Sequence, residues 1–349
     1  MRVTEILSAQ SATSEAAAVT STTETLEELG WTPHFSTQVS IEEERQCHPV
    51  RVMAVHRGAI AVAGAGGPQS ITPHIQGAAP TDDHPTVGDW LLIDNETSMP
   101  MRILRRMNLF TRRAPSDARK EQMIAANVDT VFIVASCNQD FSAARLERYL
   151  VLAREVGVEP IVILTKIDLT ETPEVFVAAA RAIEPGLRIE AVSSHDPASV
   201  DRLKQWCGKG KTVALLGSSG VGKSTLVNSL RGSDSILTQA IRAGDDTGRH
   251  TTTVREMHRL AHGGWLLDTP GMRELQLADA TAGIADVFDD FAATAQECRF
   301  SNCSHGSEPG CAVRAAIDAG TLTAVRFERW RKLAGEATGG RAYPRRRSR

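Results

Sequence analysis

The sequence predicts an α/β domain with a mostly parallel sheet, preceded by a small β-rich domain and followed by a helical segment around a metal-binding knot. Three observations carry this prediction. Between about residues 120 and 280, near-continuous apolar runs alternate with stretches of helical spacing, as expected for strands covered by helices on both faces. Between about residues 36 and 115, short alternating runs are separated by Gly and Pro turns, with no long helical period. Near the C-terminus, Cys298, Cys303 and Cys311 fall within 14 residues, beside His305.

Length and composition agree with this division. The 349 residues are 42% hydrophobic and 23% charged, which excludes a wholly disordered, collagen-like or coiled-coil chain. No apolar run approaches the ~18–20 residues that span a bilayer. The first residues lack a basic region followed by an apolar core, so no secretory signal is expected. Clustered cysteines beside a histidine read as metal ligands in a reducing compartment, which points to the cytoplasm. The expected division is a flexible segment over 1–35 with a short helical turn at Leu26–Trp31, a β-barrel over 36–115, the α/β domain over 116–280, a helical metal-binding domain over 281–335 and a basic tail over 336–349.

Within the first domain, Val50–Gly64 alternates, Val87–Asp94 is apolar, and Met101–Arg113 alternates again. Five short strands over about 80 residues suit a barrel of the oligonucleotide-binding (OB) type, with a β-sandwich as the competing arrangement. In the second domain, residues 128–136, 160–169, 187–194, 212–217 and 263–270 are the expected strands, and 143–157 has helical spacing. Ligands of such sheets lie at the carboxyl ends of the strands.

The motifs fall at those ends. Gly217-Ser218-Ser219-Gly220-Val221-Gly222-Lys223-Ser224 fits the phosphate-loop pattern in full, between a strand and a helix that begins Ser224-Thr225. Its glycines let backbone amides curl around a phosphate, and the helix N-terminus adds its positive end. Lys223 is placed to reach the β- and γ-phosphates, and Ser224 to ligate Mg2+. Asp268-Thr269-Pro270-Gly271 follows 51 residues after Gly217. There Asp268 would hold Mg2+ through water and the Gly271 amide would sense the γ-phosphate. The polar loop between them, residues 244–253, suits a switch in which Thr251 or Thr252 reaches Mg2+. Thr165-Lys166-Ile167-Asp168 closes an earlier strand. The Asp168 carboxylate can accept two hydrogen bonds from guanine N1–H and its 2-amino group, which adenine cannot offer. Lys166 would lie along the base, and a backbone amide at Ser193-Ser194 would meet guanine O6. Base motif, phosphate loop, switch and Mg2+ motif thus run in a circularly permuted order, sterically feasible because domain termini often lie close together.

With its switch Gly248-Arg249-His250-Thr251-Thr252-Thr253 and its Asp268-Thr-Pro-Gly271 motif, the permuted order resembles the ribosome small-subunit-dependent GTPase A (RsgA) family. The resemblance spans roughly residues 36–325. It implies an OB domain, a permuted GTPase domain and a zinc domain. It also implies a role in late maturation of the small ribosomal subunit, with GTP hydrolysis stimulated by that subunit and contacts to its rRNA. Met272 stands where Ras-like enzymes place a water-orienting Gln, so hydrolysis by the isolated protein should be slow. The resemblance makes His250 the candidate for positioning the water. Thr165 replaces the more usual Asn of the base motif, and Ser193-Ser194 matches the usual Ser-Ala element loosely.

Cys298, Cys303, His305 and Cys311 offer three thiolates and one imidazole, a complete tetrahedral set for a structural zinc with no position open for catalysis. The cofactors expected are GTP or GDP with Mg2+ and one Zn2+. The net charge of −3 makes no case for nucleic acid by itself, but residues 326–349 carry nine Lys/Arg against two Glu, leaving about −10 on the rest. That basic end, and Arg102, Arg105, Arg106, Arg112 and Arg113 in the barrel, are candidate contacts to RNA phosphates. The expected partner is the small subunit, with no membrane, and the chain is expected to be monomeric. A signalling or transport GTPase, or an RNA-binding module that keeps nucleotide only structurally, are the competing functions.

Overall fold

The computed structural model describes residues 24–56, 58–75, 84–114, 117–184, 186–232, 255–268, 277 and 280–338, with backbone alone at 113, 114, 117–120 and 268. Helices α1 (Pro33–Ser36) and α2 (Ile41–Gln46) lead into strands β1 (Cys47–Val55), β2 (Ile60–Gly64), β3 (Gly67–Ile71), β4 (Trp90–Asp94) and β5 (Pro100–Ile103). These strands are antiparallel in the order β3-β2-β1-β4-β5. Val50, Val52, Ile60, Val62, Leu91 and Ile93 form their common interior. A register shift between Val52 and Ala54 lets β1 serve two neighbours along one edge: Cys47–Arg51 pair with β4, and Ala54 and Val55 pair elsewhere. A hairpin of β6 (Leu109–Ala114) and β7 (Asp117–Ala126) follows as a separate two-stranded sheet.

The α/β domain contains β8 (Thr130–Ser136), α3 (Ala143–Glu155), β9 (Glu159–Thr165), α4 (Pro173–Arg181), β10 (Arg188–Ala191), α5 (Pro197–Asp201), β11 (Thr212–Leu216), α6 (Lys223–Arg231), β12 (Arg255–Arg259) and β13 (Trp265–Asp268). Strands β10-β9-β8-β11-β13 are parallel, and β12 runs antiparallel beside β13. All five runs expected as strands are strands. Every residue of β8 is buried, because both faces of a central parallel strand are covered. Val131, Ile133 and Ala135 join the core shared with α3, while Phe132 and Val134 join the core shared with Trp206 and α6.

Strand β12 was not among the expected ones. It pairs with β13 on one side and with β1 on the other, through Ala54↔Glu256 and Val55↔Arg255. One continuous sheet therefore runs from β10 through the α/β domain into the first domain.

Residues 24–35 depart from the flexible lead-in expected over 1–35. Leu29 and Phe35 are fully buried, and the Trp265 indole N–H donates to the Glu28 carbonyl at 2.8 Å. Apolar residues spaced through this stretch cover the end of the sheet, which is why it is ordered. The Arg51 guanidinium, 2% exposed, donates to the carbonyls of Leu29 (2.5 Å) and Asn127 (3.2 Å) and to the Thr212 hydroxyl (2.8 Å). It joins the N-terminal turn, the first domain and the strand before the phosphate loop.

The C-terminal segment is helical: α7 (Thr281–Val287), α8 (Asp289–Gln296), α9 (Ala312–Asp318) and α10 (Ala324–Thr338). It docks on α3. A Cβ at Gly283 would lie 2.2 Å from the Val151 carbonyl oxygen, so only glycine permits this approach. The Gly283 amide donates to the Glu155 carboxylate at 2.6 Å, and Arg148 pairs with Glu336 at 2.5 Å. Among the described residues, no helix is long and apolar enough to cross a membrane.

Candidate nucleotide site and metal knot

The loop between β11 and α6 is bent by positive φ at Gly217 (149°), Gly220 (80°) and Gly222 (93°). A Cβ at Gly217 would come within 2.4 Å of the Val134 carbonyl oxygen, so the loop lies against β8 only because that side chain is absent. Lys223 opens α6 and is buried. Its ammonium donates to the Gly217 carbonyl at 2.6 Å and to the Ser218 carbonyl. Ser224 and Thr225 occupy the first turn of α6, with Ser224 exposed. Ser219 and Gly220 form the exposed crown of the loop, and Val221 tucks beneath it.

The base motif meets this loop directly. The Thr165 hydroxyl donates to the Val221 carbonyl at 2.5 Å, with the Ala135 carbonyl at 3.2 Å. Lys166, in the left-handed region at φ 60°, donates through Nζ to the Gly220 carbonyl at 2.7 Å. Thr165, one bond short of the more usual Asn, thus still ties the two loops together. Asp168 is exposed. A hydrogen bond from the Ser193 hydroxyl holds its carboxyl below the usual carboxylate range, helped by a backbone amide and the nearby His195. Ser193 is in turn fixed through its amide, which donates to the Ser199 hydroxyl at 2.9 Å. The Ser194 hydroxyl oxygen is buried with no hydrogen-bond partner among the described residues, while its carbonyl accepts from Ser229 of α6 at 2.8 Å. Thr165, Lys166, Asp168, Ser193, Ser194 and residues 217–225 therefore share one edge of the sheet. An ionised carboxylate held by Ser193 at the same strand ends as a glycine-bent loop and its lysine fits a purine nucleotide.

Asp268 ends β13, next to β11 at the same edge. His250, Thr251, Thr252, Gly271 and Met272 lie outside the described residues, as does the basic tail beyond 338.

Sequence reasoning missed Arg145. Its guanidinium donates to the Ser218 hydroxyl at 3.2 Å and to the Asp140 carbonyl at 2.7 Å. Its only sequence signal is positional, the first turn of a helix that follows a largely apolar strand, at the strand end where ligands bind; no motif marks it.

Cys298, Cys303, His305 and Cys311 gather with their ligand atoms within 4.8 Å of one another. Both Cys298 Sγ and Cys311 Sγ lie 3.5 Å from His305 Nδ1. His305 takes a left-handed backbone, φ 58°, and its ring lies tilted against Trp330 at 5.3 Å between centroids. Burial opposes ionisation of Cys298, yet amides of Val313 and Ala312 at the start of α9 bring its thiol below its ordinary range. Burial pushes Cys303 up to about 11. Three soft thiols and an imidazole fit a tetrahedral metal ion.

Three of the arginines expected at RNA are engaged within the chain. Arg102 pairs with Glu43 at 2.7 Å, Arg106 with Asp89 at 2.7 Å, and Arg112 donates to Gln122 at 2.9 Å. They serve the packing of the first domain, because a buried or half-buried carboxylate such as Asp89 needs a partner. Arg105 is exposed, and the Arg113 side chain lies outside the described residues.

A parallel sheet with a phosphate loop, reached by a base motif that precedes it in the chain, defines a circularly permuted GTPase. Comparison with known proteins agrees. The RsgA GTPase family model matches residues 103–278. The chain is 45% identical over 316 residues to small ribosomal subunit biogenesis GTPase RsgA 2 of Vibrio parahaemolyticus, covering 90% of this chain and 87% of that protein. It is also 45% identical to RsgA of Mesorhizobium japonicum, covering 91% and 92%. Among solved structures, YjeQ from Thermotoga maritima superposes with a TM-score of 0.60 at 26% identity, covering 82% and 97%. YloQ, described as a circularly permuted GTPase, gives 0.59 at 25% identity, covering 84% and 96%. The chain belongs to the RsgA GTPase family and is a GTP-hydrolysing enzyme.

Proposed function

We propose that this chain hydrolyses GTP as a monomeric cytoplasmic assembly factor in late maturation of the small ribosomal subunit, and that the subunit stimulates its turnover. The observation that carries the reading is the contact between motifs 54 residues apart: Lys166 Nζ on the Gly220 carbonyl at 2.7 Å. It supports one cleft in which Asp168 takes the guanine and the loop of residues 217–224 takes the phosphates. The names of the relatives support the ribosomal role.

In this reading Asp168 accepts from the guanine N1–H and 2-amino groups, and a backbone amide at Ser193-Ser194 donates to the neighbouring O6. Backbone amides of Ser218 to Ser224 hold the phosphates. Lys223 exchanges its contacts on the Gly217 and Ser218 carbonyls for β- and γ-phosphate oxygens. Ser224, Asp268 and one of Thr251 or Thr252 hold Mg2+, which neutralises charge on those oxygens. Gly271 donates to the γ-phosphate, and His250 positions the attacking water. Cys298, Cys303, His305 and Cys311 hold a structural Zn2+. The first domain, the metal knot and the tail carry the contacts to rRNA.

A turnover assay with and without purified small subunits tests the proposal. Slow hydrolysis alone and at least about a tenfold rise on adding subunits is the expected result. Equal turnover in both conditions, together with no cosedimentation in a non-hydrolysable GTP analogue, would overturn the ribosomal role.

A further inference from the structure

We propose that Arg145 is a γ-phosphate-binding residue, an arginine supplied by the chain's own helix α3 that stabilises the charge developing as GTP is cleaved. The inference rests on the nucleotide site proposed above.

The argument is geometric. Arg145 stands in the first turn of α3, which follows the carboxyl end of β8 after a six-residue loop. Strand β8 lies between β9, which ends in the base motif, and β11, which ends in the phosphate loop. Its guanidinium is exposed and rests at 3.2 Å on the hydroxyl of Ser218, the second residue of that loop. The carbonyl of the same Ser218 accepts from the Lys223 ammonium. Lys223 is the group that reaches the β- and γ-phosphates in such loops. Two cations thus share one loop residue, one on its main chain and one on its side chain. The second contact of Arg145 is to the Asp140 carbonyl at 2.7 Å, which holds the side chain toward the loop. No carboxylate pairs with it among the described residues: its partners are a hydroxyl and a carbonyl, both neutral. A guanidinium kept without a counter-charge beside a phosphate loop is well suited to an anion.

The chemistry gives this charge a task. In hydrolysis, a water oxygen forms a bond to the γ-phosphorus. The bond from that phosphorus to the β,γ-bridging oxygen breaks, its electron pair leaves on GDP, and the water's protons pass to phosphate and solvent. Negative charge shifts onto the bridging oxygen and stays on the γ-phosphoryl oxygens, where arginine is effective. Arg145 transfers no proton. Met272 cannot donate a hydrogen bond, so a positive group from the fold compensates part of what a glutamine would otherwise contribute. Stabilisation that grows in the transition state raises the rate at saturation rather than binding alone.

The test uses the full chain with Arg145→Ala and Arg145→Lys, measured alone and with small subunits. Single-turnover rate at saturating GTP is read beside affinity for GDP and for a non-hydrolysable GTP analogue. Arg145→Ala is expected to lower the saturated rate at least about tenfold, to weaken the analogue more than GDP, and to leave GDP affinity within about twofold. Arg145→Lys, which keeps the charge but loses the fork, should recover part of the rate. An unchanged rate for Arg145→Ala would overturn the proposal. So would equal weakening of GDP and analogue, the mark of a residue that merely braces the loop. Failure of the wild-type chain to bind GDP would instead remove the nucleotide site itself.

Discussion

Asp168, already a carboxylate at neutral pH, is held more firmly so by a neighbour. The Ser193 hydroxyl donates to it, and the carboxyl is held below its usual range, so it stays an acceptor throughout the physiological pH range. Only an acceptor can meet both N1–H and the 2-amino group of guanine. Asp168→Asn replaces one acceptor oxygen with a donor. GTP affinity should fall at least about tenfold while xanthosine triphosphate, which carries a carbonyl at position 2, gains; competition between the two nucleotides measures it. The candidate nucleotide residues were readable from sequence at this scale because each belongs to a short pattern with a fixed chemical task. Arg145 was not, since it belongs to no such pattern and is brought to Ser218 only because β8, which precedes α3, pairs with β11.

Elements differ in how plainly they announce themselves. Strands β8, β9 and β11 are legible as apolar runs because parallel strands are buried on both faces. Strand β12, Arg-Glu-Met-His-Arg, hides because only Met257 is buried and one of its two pairing partners, β1, lies far away in the chain. The burial of Leu29 and Phe35 was hidden likewise, since what they cover is known only from the folded sheet. The contact of α3 with the C-terminal helices carries a charge the sequence gives no sign of. Glu147 of α3 is fully buried against Arg329 of α10 at 2.8 Å. Burial raises its carboxyl to about 7, against the pull of Arg329 and Arg326 and with a small push from Asp290. The folded state therefore holds a proton that the unfolded state has lost between about pH 4.5 and 7, and stability should fall as pH rises through that window. Glu147→Gln should flatten this slope, as read by urea unfolding at several pH values. The metal knot is a second element-scale case. Its loop between α8 and α9 has little core beyond the ligands, so chelation should lower the melting temperature and expose the region to protease, and added Zn2+ should restore both. A chelated protein with unchanged melting would count against a structural ion.

At the scale of the molecule, Arg51 reaches parts that no local pattern connects. Burial brings its guanidinium down to about 10, still charged at neutral pH. Its hydrogen bonds end on the N-terminal turn, on Asn127 and on Thr212. Arg51→Met keeps much of the volume but leaves those acceptors unpaired, at a cost of about 1–3 kcal/mol for each buried group. The expected outcome is a lower urea midpoint in one cooperative transition; two separated transitions would mean that the first domain and the α/β domain unfold independently. The ladder between Ala54–Val55 and Arg255–Glu256 points the same way. Strand β12 is a common plank for two domains, nailed by main-chain hydrogen bonds on either side. With no loop between the two sheets to act as a swivel at this seam, the twist of the first domain and the twist of the parallel sheet are set together.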